Sequence, residues 1–240
     1  MNSRPDFNHV STWVFDLDNT LYPAHCNLFT QIDARMASFI ETLLGLPKTQ
    51  ARRLQKDYYV RYGTTMSGLM REHGVKPHDF MDYVHDIDLS AIDEDAVLSQ
   101  TISALPGEKY IFTNGSVKHA ENVTRKLGID GLFDGVFDIA AADYTPKPHR
   151  VTYDRFLDKH GLEPSCAAMF EDIAQNLEAA HALGMTTVLV ASDAAWLDDE
   201  PAEKRPAAAS DQHDHVHHVT PDLRGFLGSI ETSAALAASA

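Results

Sequence analysis

Cysteine is scarce in this sequence of 240 residues, which contains only Cys26 and Cys166. The two are far apart and form no CxxC motif, so a reducing compartment without a disulfide accounts best for their use. Cys166 opens an apolar run and is expected to be a small buried side chain. No positioned base is in view for Cys26, which argues against thiol catalysis.

Basic residues are also few, with 20 Lys and Arg against 35 Asp and Glu, a formal net charge of −15. This balance repels phosphate backbones and anionic lipids, and it argues against nucleic-acid polymers and membrane surfaces as partners. An acidic protein that handles a phosphate ester would need a cation to bridge the repulsion. No hydrophobic run approaches the length of a membrane span, and the first ten residues lack the apolar centre of a signal peptide. We therefore expect a soluble cytoplasmic protein.

Short apolar runs bounded by Gly, Pro, Asn or Asp alternate with helix-like segments. The runs are nearly continuous in apolar residues, which is typical of parallel strands covered on both faces. This rhythm predicts an α/β fold with a Rossmann-like, doubly wound parallel sheet. The predicted strands are 12–16, 109–113, 135–140, 167–172 and 186–191, with a last short strand in "HVHHV" and a terminal helix in "PDLRGFL".

The stretch between the first two strands contains several amphipathic runs and no convincing strand. We predict an inserted, all-helical cap over residues 23–104, and a hydrolase core formed by residues 1–22 and 105–240. The acidic, Pro-containing segment 193–214 is predicted to be a solvated loop. His213, His215, His217 and His218 are spaced for a solvated or strand-edge cluster, and not for helical metal chelation.

Polar side chains follow four of the predicted strands, starting with the two acids of "WVFDLDNTLYP". Ligands of open parallel sheets bind outside the carboxyl ends of the strands, so these residues are expected to converge on one crevice. They are Asp16 and Asp18 after the first strand, Thr113 and Asn114 after the second, Lys147 in the loop after the third, and Glu171 and Asp172 after the fourth.

Such a set suits phosphoryl transfer. Carboxylates gathered in one crevice repel one another unless a hard divalent ion such as Mg²⁺ lies among them. One carboxylate can attack phosphorus, and a second can exchange protons with the leaving group and the attacking water. A hydroxyl, turn amides and an ammonium group can bind the phosphoryl oxygens, on which the transition-state charge is spread.

These motifs resemble those of the haloacid dehalogenase-like hydrolase superfamily, with "DLDNT", "TNG", Lys147 and "ED" at 171–172 in the expected order. The resemblance covers essentially the whole chain and implies that Asp16 forms an aspartyl-phosphate. It implies that Asp18 is the general acid and base. Mg²⁺ would be held by Asp16, by the backbone carbonyl of Asp18 and by Asp172.

The same resemblance implies that Thr113, Asn114 and Lys147 bind the phosphate. Thr20 would orient the acids, and Glu171 would act through water or pair with Lys147. Asn176 is expected to support the loop on the metal side. The dehalogenase branch needs no acid at position 18, so Asp18 favours phosphoryl transfer over dehalogenation.

Finer features, such as "FDLDNTLYP", "YGTT" and "FTNG…HA", resemble pyrimidine 5′-nucleotidase-like phosphatases. The resemblance implies a small phosphate-ester substrate, with UMP and CMP first in line. Tyr62, Thr64 and Thr65 are the candidate specificity residues, because an aromatic ring can stack on a base and hydroxyls can reach its polar edge. Two alternatives stay open: a phosphatase for a sugar phosphate or phosphoglycolate, and a phospho-accepting signalling module.

Overall fold

A six-stranded sheet runs through the part of the chain that the computed structural model describes, which is residues 6–193 and 213–230. Every neighbouring pair of strands is parallel, in the order β3-β2-β1-β4-β5-β6. This order confirms the doubly wound prediction and places the topological switch point between β1 and β4. The strands are β1 (Thr12–Phe15), β2 (Glu108–Phe112), β3 (Gly135–Phe137), β4 (Ala167–Glu171), β5 (Thr186–Val190) and β6 (His218–Thr220).

Helices connect the strands and fill the long segment between β1 and β2. Several end at a glycine in the left-handed conformation, such as Gly128 and Gly161. The helices are α1 (Leu28–Leu44), α2 (Lys48–Tyr62), α3 (Thr65–His73), α4 (Pro77–Val84), α5 (Ala96–Ala104), α6 (Val117–Leu127), α7 (Arg150–His160), α8 (Ala174–Leu183) and α9 (Leu223–Ser229), with short 3₁₀ turns at Ala24–Cys26 and Pro164–Cys166.

Both faces of the sheet are buried, because successive side chains of a strand point to opposite sides. In β1, Trp13 and Phe15 pack into one hydrophobic cluster with side chains of α5, α6 and α9. Val14 points the other way, into a cluster with side chains of α7 and α8. This arrangement explains why the strands are nearly continuous runs of apolar residues.

Helices α1 to α4 share a third hydrophobic cluster, which Ile139 joins from the segment after β3. Helix α5 was not recognised in the sequence. It buries Leu98 and Ile102 in the same cluster as Trp13, on the face of the sheet. The division at residues 23–104 stays a prediction, and α5 lies within that range although it packs on the sheet.

The strand predicted at 135–140 is shorter in the structure. Strand β3 ends at Phe137 because the Asp138 carboxylate accepts hydrogen bonds from the backbone N–H groups of Val117 (3.1 Å) and Ala141 (2.9 Å), which turns the chain.

The histidine cluster lies at the β6 edge, where His217 contacts Thr187. Residues 194–212 of the predicted acidic loop and the tail 231–240 lie outside the described residues. In the described ranges, no helix combines the length and apolar character needed to cross a membrane.

Gly107, in the turn before β2, provides a test of this packing. A Cβ there would lie 2.1 Å from the Ser11 carbonyl oxygen, at a φ of +79°. Gly131 has a similar φ of +86° but open space around a Cβ. We expect Gly131→Ala to lower the free energy of unfolding by about 1 kcal/mol and Gly107→Ala by about 3 kcal/mol or more. Thermal unfolding followed by circular dichroism measures both, and equal losses would contradict the close approach of Ser11.

Candidate active site

The carboxyl ends of β1, β2 and β4 bring the predicted site residues together around Lys147. Its ammonium Nζ donates hydrogen bonds to Asp16 Oδ1 (2.7 Å), Glu171 Oε1 (3.1 Å) and the Phe112 carbonyl oxygen (2.9 Å). Lys147 is only 2% exposed. Burial alone would lower its pKa, but the negative charges of Asp16 and Glu171 outweigh burial and raise the pKa above its ordinary value. The lysine is therefore a fixed positive charge in this site.

Asp16 is the acid most affected by this environment. Burial raises its pKa, and the Glu171 charge raises it further, while Lys147 opposes both; the result is a pKa of about 8. One lysine therefore does not fully offset the acids around it. A further positive charge at this point would favour the ionised form of Asp16.

The donor set fits a hard divalent cation. Asp16, Glu171 and Asp172 are buried, and each offers a carboxylate oxygen within 4.8 Å of the others. Burial and the neighbouring charges of Glu171 and Asp16 raise the pKa of Asp172 well above its ordinary range. Buried carboxylate oxygens with uncompensated negative charge are the ligands that Mg²⁺ prefers. The Asp18 carboxylate is not among these three, and the predicted role of its backbone carbonyl stays a prediction.

Glu171 is held from several sides. Oε1 accepts hydrogen bonds from Lys147 and from the Asn176 side-chain amide. Oε2 accepts hydrogen bonds from the backbone N–H groups of Asp172 (2.8 Å) and Ile173 (3.4 Å). With both oxygens engaged, Glu171 is a support that orients Lys147 and the Asp172 loop. Asn176 lies where the sequence analysis expects it, beside this loop.

Asp18 faces a different set of partners. Its Oδ1 accepts hydrogen bonds from the Tyr22 hydroxyl (2.6 Å) and from His119 Nε2 (2.8 Å). Burial would raise its pKa, but the His119 charge and these two hydrogen bonds outweigh burial and lower it to about 2. The His119 ring stacks on His85, at the end of α4, with centroids 4.3 Å apart. Burial and the His119 charge lower the pKa of His85 to about 3.

The residues that follow β2 are hydrogen-bonded to the loop that contains Lys147. The Asn114 side-chain oxygen accepts a hydrogen bond from the Lys147 backbone N–H (2.9 Å), and Thr113 Oγ1 accepts one from the Gly115 N–H (2.9 Å). Both side chains therefore lie at the crevice, and Asn114 also anchors Lys147. Thr20 Oγ1 donates a long hydrogen bond of 3.4 Å to Asp16 Oδ2, consistent with an orienting contact.

A cavity of about 140 Å³ lies between this cluster and helices α1 to α4. The site residues Asp16, Asp18, Thr113, Asn114, Lys147, Glu171, Asp172 and Asn176 line it. The helical side is mainly apolar and is lined by Phe29, Ile32, Met36, Met66, Phe80, Met81 and Val84, with Asp33, Gln55, Lys56, Tyr59, Thr64, Thr65 and His85 as its polar members.

The three candidate specificity residues are separated by the structure. Thr64 and Thr65 line the cavity, whereas Tyr62 does not. The Tyr62 hydroxyl donates to Glu72 and its ring contacts Arg61 and Arg71, so the side chain is held on the outer side of α2 and α3. Tyr59, three residues earlier on α2, lines the cavity in its stead.

Sequence reasoning assigned no role to Tyr22, His85, His119 or Gln55. Tyr22 lies four residues after Asp18, so a local contact could have been anticipated. His119 lies 101 residues from Asp18 in the sequence, and only the fold brings them together. Gln55 lies four residues after Ala51 and three before Tyr58, on the buried face of α2, where a polar residue is a signal that could have been noticed.

Two relatives of known name share part of this sequence. The chain is 28% identical over 193 residues to "Phosphate metabolism protein 8" of Saccharomyces cerevisiae, a match that covers 73% of this chain and 60% of the yeast protein. It is 27% identical over 187 residues to "Enolase-phosphatase E1" of Bradyrhizobium sp., covering 68% of this chain and 76% of that protein. The match therefore spans less than two thirds of the yeast relative.

Solved structures share the fold at low sequence identity. L-2-haloacid dehalogenase from Xanthobacter autotrophicus superposes with a TM-score of 0.56 at 17% identity, over 91% of this chain and 97% of that one. The HAD-hydrolase YfnB from Bacillus subtilis, solved bound to magnesium, has a TM-score of 0.53 at 15% identity, over 91% and 97% of the two chains. At these identities the likeness concerns the fold.

A family model agrees with the motifs, the sheet order and the site. The model described as "haloacid dehalogenase-like hydrolase" matches residues 10–184, which include Asp16, Thr113, Lys147 and Asp172. This chain belongs to the haloacid dehalogenase-like hydrolases.

Proposed function

We propose that this chain is a Mg²⁺-dependent phosphomonoesterase that hydrolyses pyrimidine nucleoside 5′-monophosphates, UMP and CMP, through an aspartyl-phosphate on Asp16. The observation that carries the proposal is the buried contact of Lys147 with Asp16 and Glu171, beside Asp172 and at the cavity. The names of the yeast and Bradyrhizobium relatives, which concern phosphate metabolism and a phosphatase, agree with phosphate chemistry.

In the first step, an Asp16 carboxylate oxygen forms a bond to phosphorus as the bond from phosphorus to the nucleoside oxygen breaks. Lys147 neutralises charge on the phosphoryl oxygens, and Thr113 and Asn114 complete their binding from the end of β2. Thr20 keeps the attacking carboxylate oriented through its contact with Oδ2. The nucleoside leaves as an alkoxide that must gain a proton.

Asp18 is proposed to handle that proton together with His119. The hydrogen bond between His119 Nε2 and Asp18 Oδ1 supplies a route for a proton to the leaving oxygen. In the second step water attacks phosphorus, its proton passes to the Asp18 carboxylate, and the phosphorus–Asp16 bond breaks to release phosphate. The low pKa of Asp18 means that its carboxylate is ionised and can accept this proton, which His119 shares through its hydrogen bond to Oδ1.

Mg²⁺ is proposed to be held by Asp16, the Asp18 backbone carbonyl and Asp172, with Glu171 and Asn176 in support. When bound, the ion reduces the repulsion between these carboxylates and the phosphoryl oxygens. The four neighbouring acids and the single lysine support a requirement for a cation. They also favour phosphoryl transfer over dehalogenation, because an ester bond to carbon needs neither this acid cluster nor Asp18.

The side chains on the helical side of the cavity support a nucleobase as the part of the leaving group that the protein recognises. Its lining is dominated by Phe29, Met36, Met66, Phe80 and neighbouring apolar side chains, which suit a flat aromatic ring. A sugar phosphate or phosphoglycolate has no flat aromatic ring to pack against these apolar side chains. Thr64 and Thr65 are proposed to lie along the base.

The division into core and cap, the movement of the cap and the cellular compartment are proposed together with this activity. The core is formed by residues 1–22 and 105–240 and the cap by residues 23–104, with the cavity between them. The cap opens to admit substrate and closes to exclude water. The unpaired thiols of Cys26 and Cys166 support a reducing, cytoplasmic compartment.

A substrate panel tests the proposed activity. With Mg²⁺, we expect kcat/KM for UMP and CMP to exceed that for ribose 5-phosphate and phosphoglycolate by about 10-fold or more, because the apolar cavity binds the base. Excess chelator should abolish turnover, and added Mg²⁺ should restore it. Phosphate release measures each rate. Equal or better turnover of the sugar phosphate would reject the nucleotidase assignment, and turnover that survives chelation would reject the metal requirement.

Substitution of two acids tests their roles. Asp16→Asn should reduce kcat at least about 10³-fold, because the amide cannot act as the nucleophile. Asp172→Ala should reduce kcat/KM about 10²-fold and raise the Mg²⁺ concentration for half-maximal activity. Asp154→Asn is the control, because Asp154 is an exposed partner of Arg150 on α7 and should keep the wild-type rate. Near-wild-type turnover by either site variant would remove that residue from its role.

A further inference from the structure

The helical side of the cavity contains a buried polar group without a partner. Gln55, on α2, is 1% exposed and lines the cavity. Its side-chain oxygen Oε1 has no hydrogen-bond partner among the described residues. Buried amide oxygens are nearly always hydrogen-bonded, so this atom points to a donor that a ligand would bring.

The orientation of the Gln55 amide is fixed by its other end. Nε2 donates to Asp33 Oδ1 at 2.6 Å. The Asp33 carboxylate is itself held by Lys56 Nζ (2.6 Å) and Arg52 Nη1 (2.7 Å), so both of its oxygens accept hydrogen bonds from cationic donors. A flipped amide would set its oxygen against the carboxylate oxygen. Oε1 is therefore the acceptor that Gln55 keeps available.

The neighbouring hydroxyls are engaged in holding the fold. Thr64 Oγ1 caps α3 by accepting from the Ser67 N–H (3.0 Å), and it also contacts the Ser67 hydroxyl. Thr65 Oγ1 donates to the Gln55 backbone oxygen (3.2 Å), which fixes α3 against α2 at this point. Of these three cavity-lining residues, Gln55 is the one whose side chain offers an unpaired acceptor.

We propose that Gln55 is the residue that selects the base, by accepting a hydrogen bond from the N3–H of uracil or the 4-amino group of cytosine. This inference rests on the proposed function, since it names how that site recognises its substrate. Both bases combine a flat ring, suited to the apolar side chains around the cavity, with an N–H donor on the polar edge. Asp33 acts through Gln55 as a positioning residue.

The test compares substrates with and without the donor on two enzymes. The substrates are UMP, CMP, ribose 5-phosphate, and the 5′-monophosphate of 2-pyrimidinone riboside, which lacks the donor without added bulk. The variant is Gln55→Leu, with Gln50→Leu as the control, because Gln50 is an exposed glutamine on the same helix. Thermal unfolding and turnover of p-nitrophenyl phosphate report on folding and on the core site.

Wild-type enzyme should prefer CMP over the 2-pyrimidinone analogue by about 10–100-fold in kcat/KM, mainly through KM. Gln55→Leu should lose about that factor on UMP and CMP, and should turn over CMP and the analogue nearly equally. Its rates on ribose 5-phosphate and p-nitrophenyl phosphate should stay within about twofold of wild type. Gln50→Leu should rank all substrates as wild type does.

Two outcomes would overturn the role of Gln55 and leave the nucleotidase standing. One is a wild-type enzyme that prefers UMP and CMP over ribose 5-phosphate but hydrolyses the analogue with the same kcat/KM as CMP. This result needs no variant. The other is a Gln55→Leu enzyme that keeps the full preference for CMP over the analogue. A wild-type enzyme with no preference for UMP or CMP over ribose 5-phosphate would instead reject the proposed function itself.

Discussion

The ammonium group of Lys147, buried among carboxylates at the switch point of the sheet, is the interaction on which the rest of the site depends. It joins the ends of three strands, through Asp16 after β1, the Phe112 carbonyl in β2 and Glu171 in β4. A buried charge is stable only when it is paired and hydrogen-bonded, so the three strand ends must lie close together for the core to fold around this lysine. The same requirement sets the attacking carboxylate of the proposed reaction in place.

This cluster is left with more negative than positive charge. Burial is the main cause that raises the pKa of Asp16 to about 8, the Glu171 charge raises it further, and Lys147 does not offset the two. A divalent cation and a phosphoryl group arriving together would balance each other in this setting. The proposed site would therefore combine two properties: a carboxylate that a bound cation ionises for attack, and a place where a dianionic ester and a metal ion are bound together.

The helical region contributes contacts of a different kind. His85, at the end of α4, stacks on His119, which in turn holds Asp18, so the helices meet the core at the acid proposed to move protons. On α2, the ion pairs of Asp33 orient Gln55 towards the same cavity. In the proposed function, the core provides chemistry common to many phosphate esters, and the helices present the groups that distinguish one ester from another.

The sequence predicted the parts of this molecule that depend on local order. Strand ends and their acids could be located because parallel strands are continuous apolar runs, and Asp16 and Asp172 directly border two of them. The contact of His119 with Asp18 could not be predicted from the sequence, because it depends on how α6 packs against β1. Whether Tyr59 or Tyr62 lines the cavity depends on how α2 is rotated about its axis. The two residues are three apart and lie on neighbouring parts of the helix surface, so their spacing does not decide between them. Residues 96–104 were assigned to the helical cap, and the packing of α5 on the sheet through Leu98 and Ile102 depends on contacts with residues distant in the sequence.

The stereochemistry of hydrolysis at phosphorus tests the central role of Asp16 most directly. A nucleoside 5′-phosphorothioate made chiral at phosphorus with ¹⁷O and ¹⁸O is hydrolysed in ordinary water, and the configuration of the released thiophosphate is determined. Attack by Asp16 followed by attack of water inverts phosphorus twice, so the account predicts retention of configuration. Inversion would mean that water attacks the ester directly, and it would contradict a covalent intermediate on Asp16.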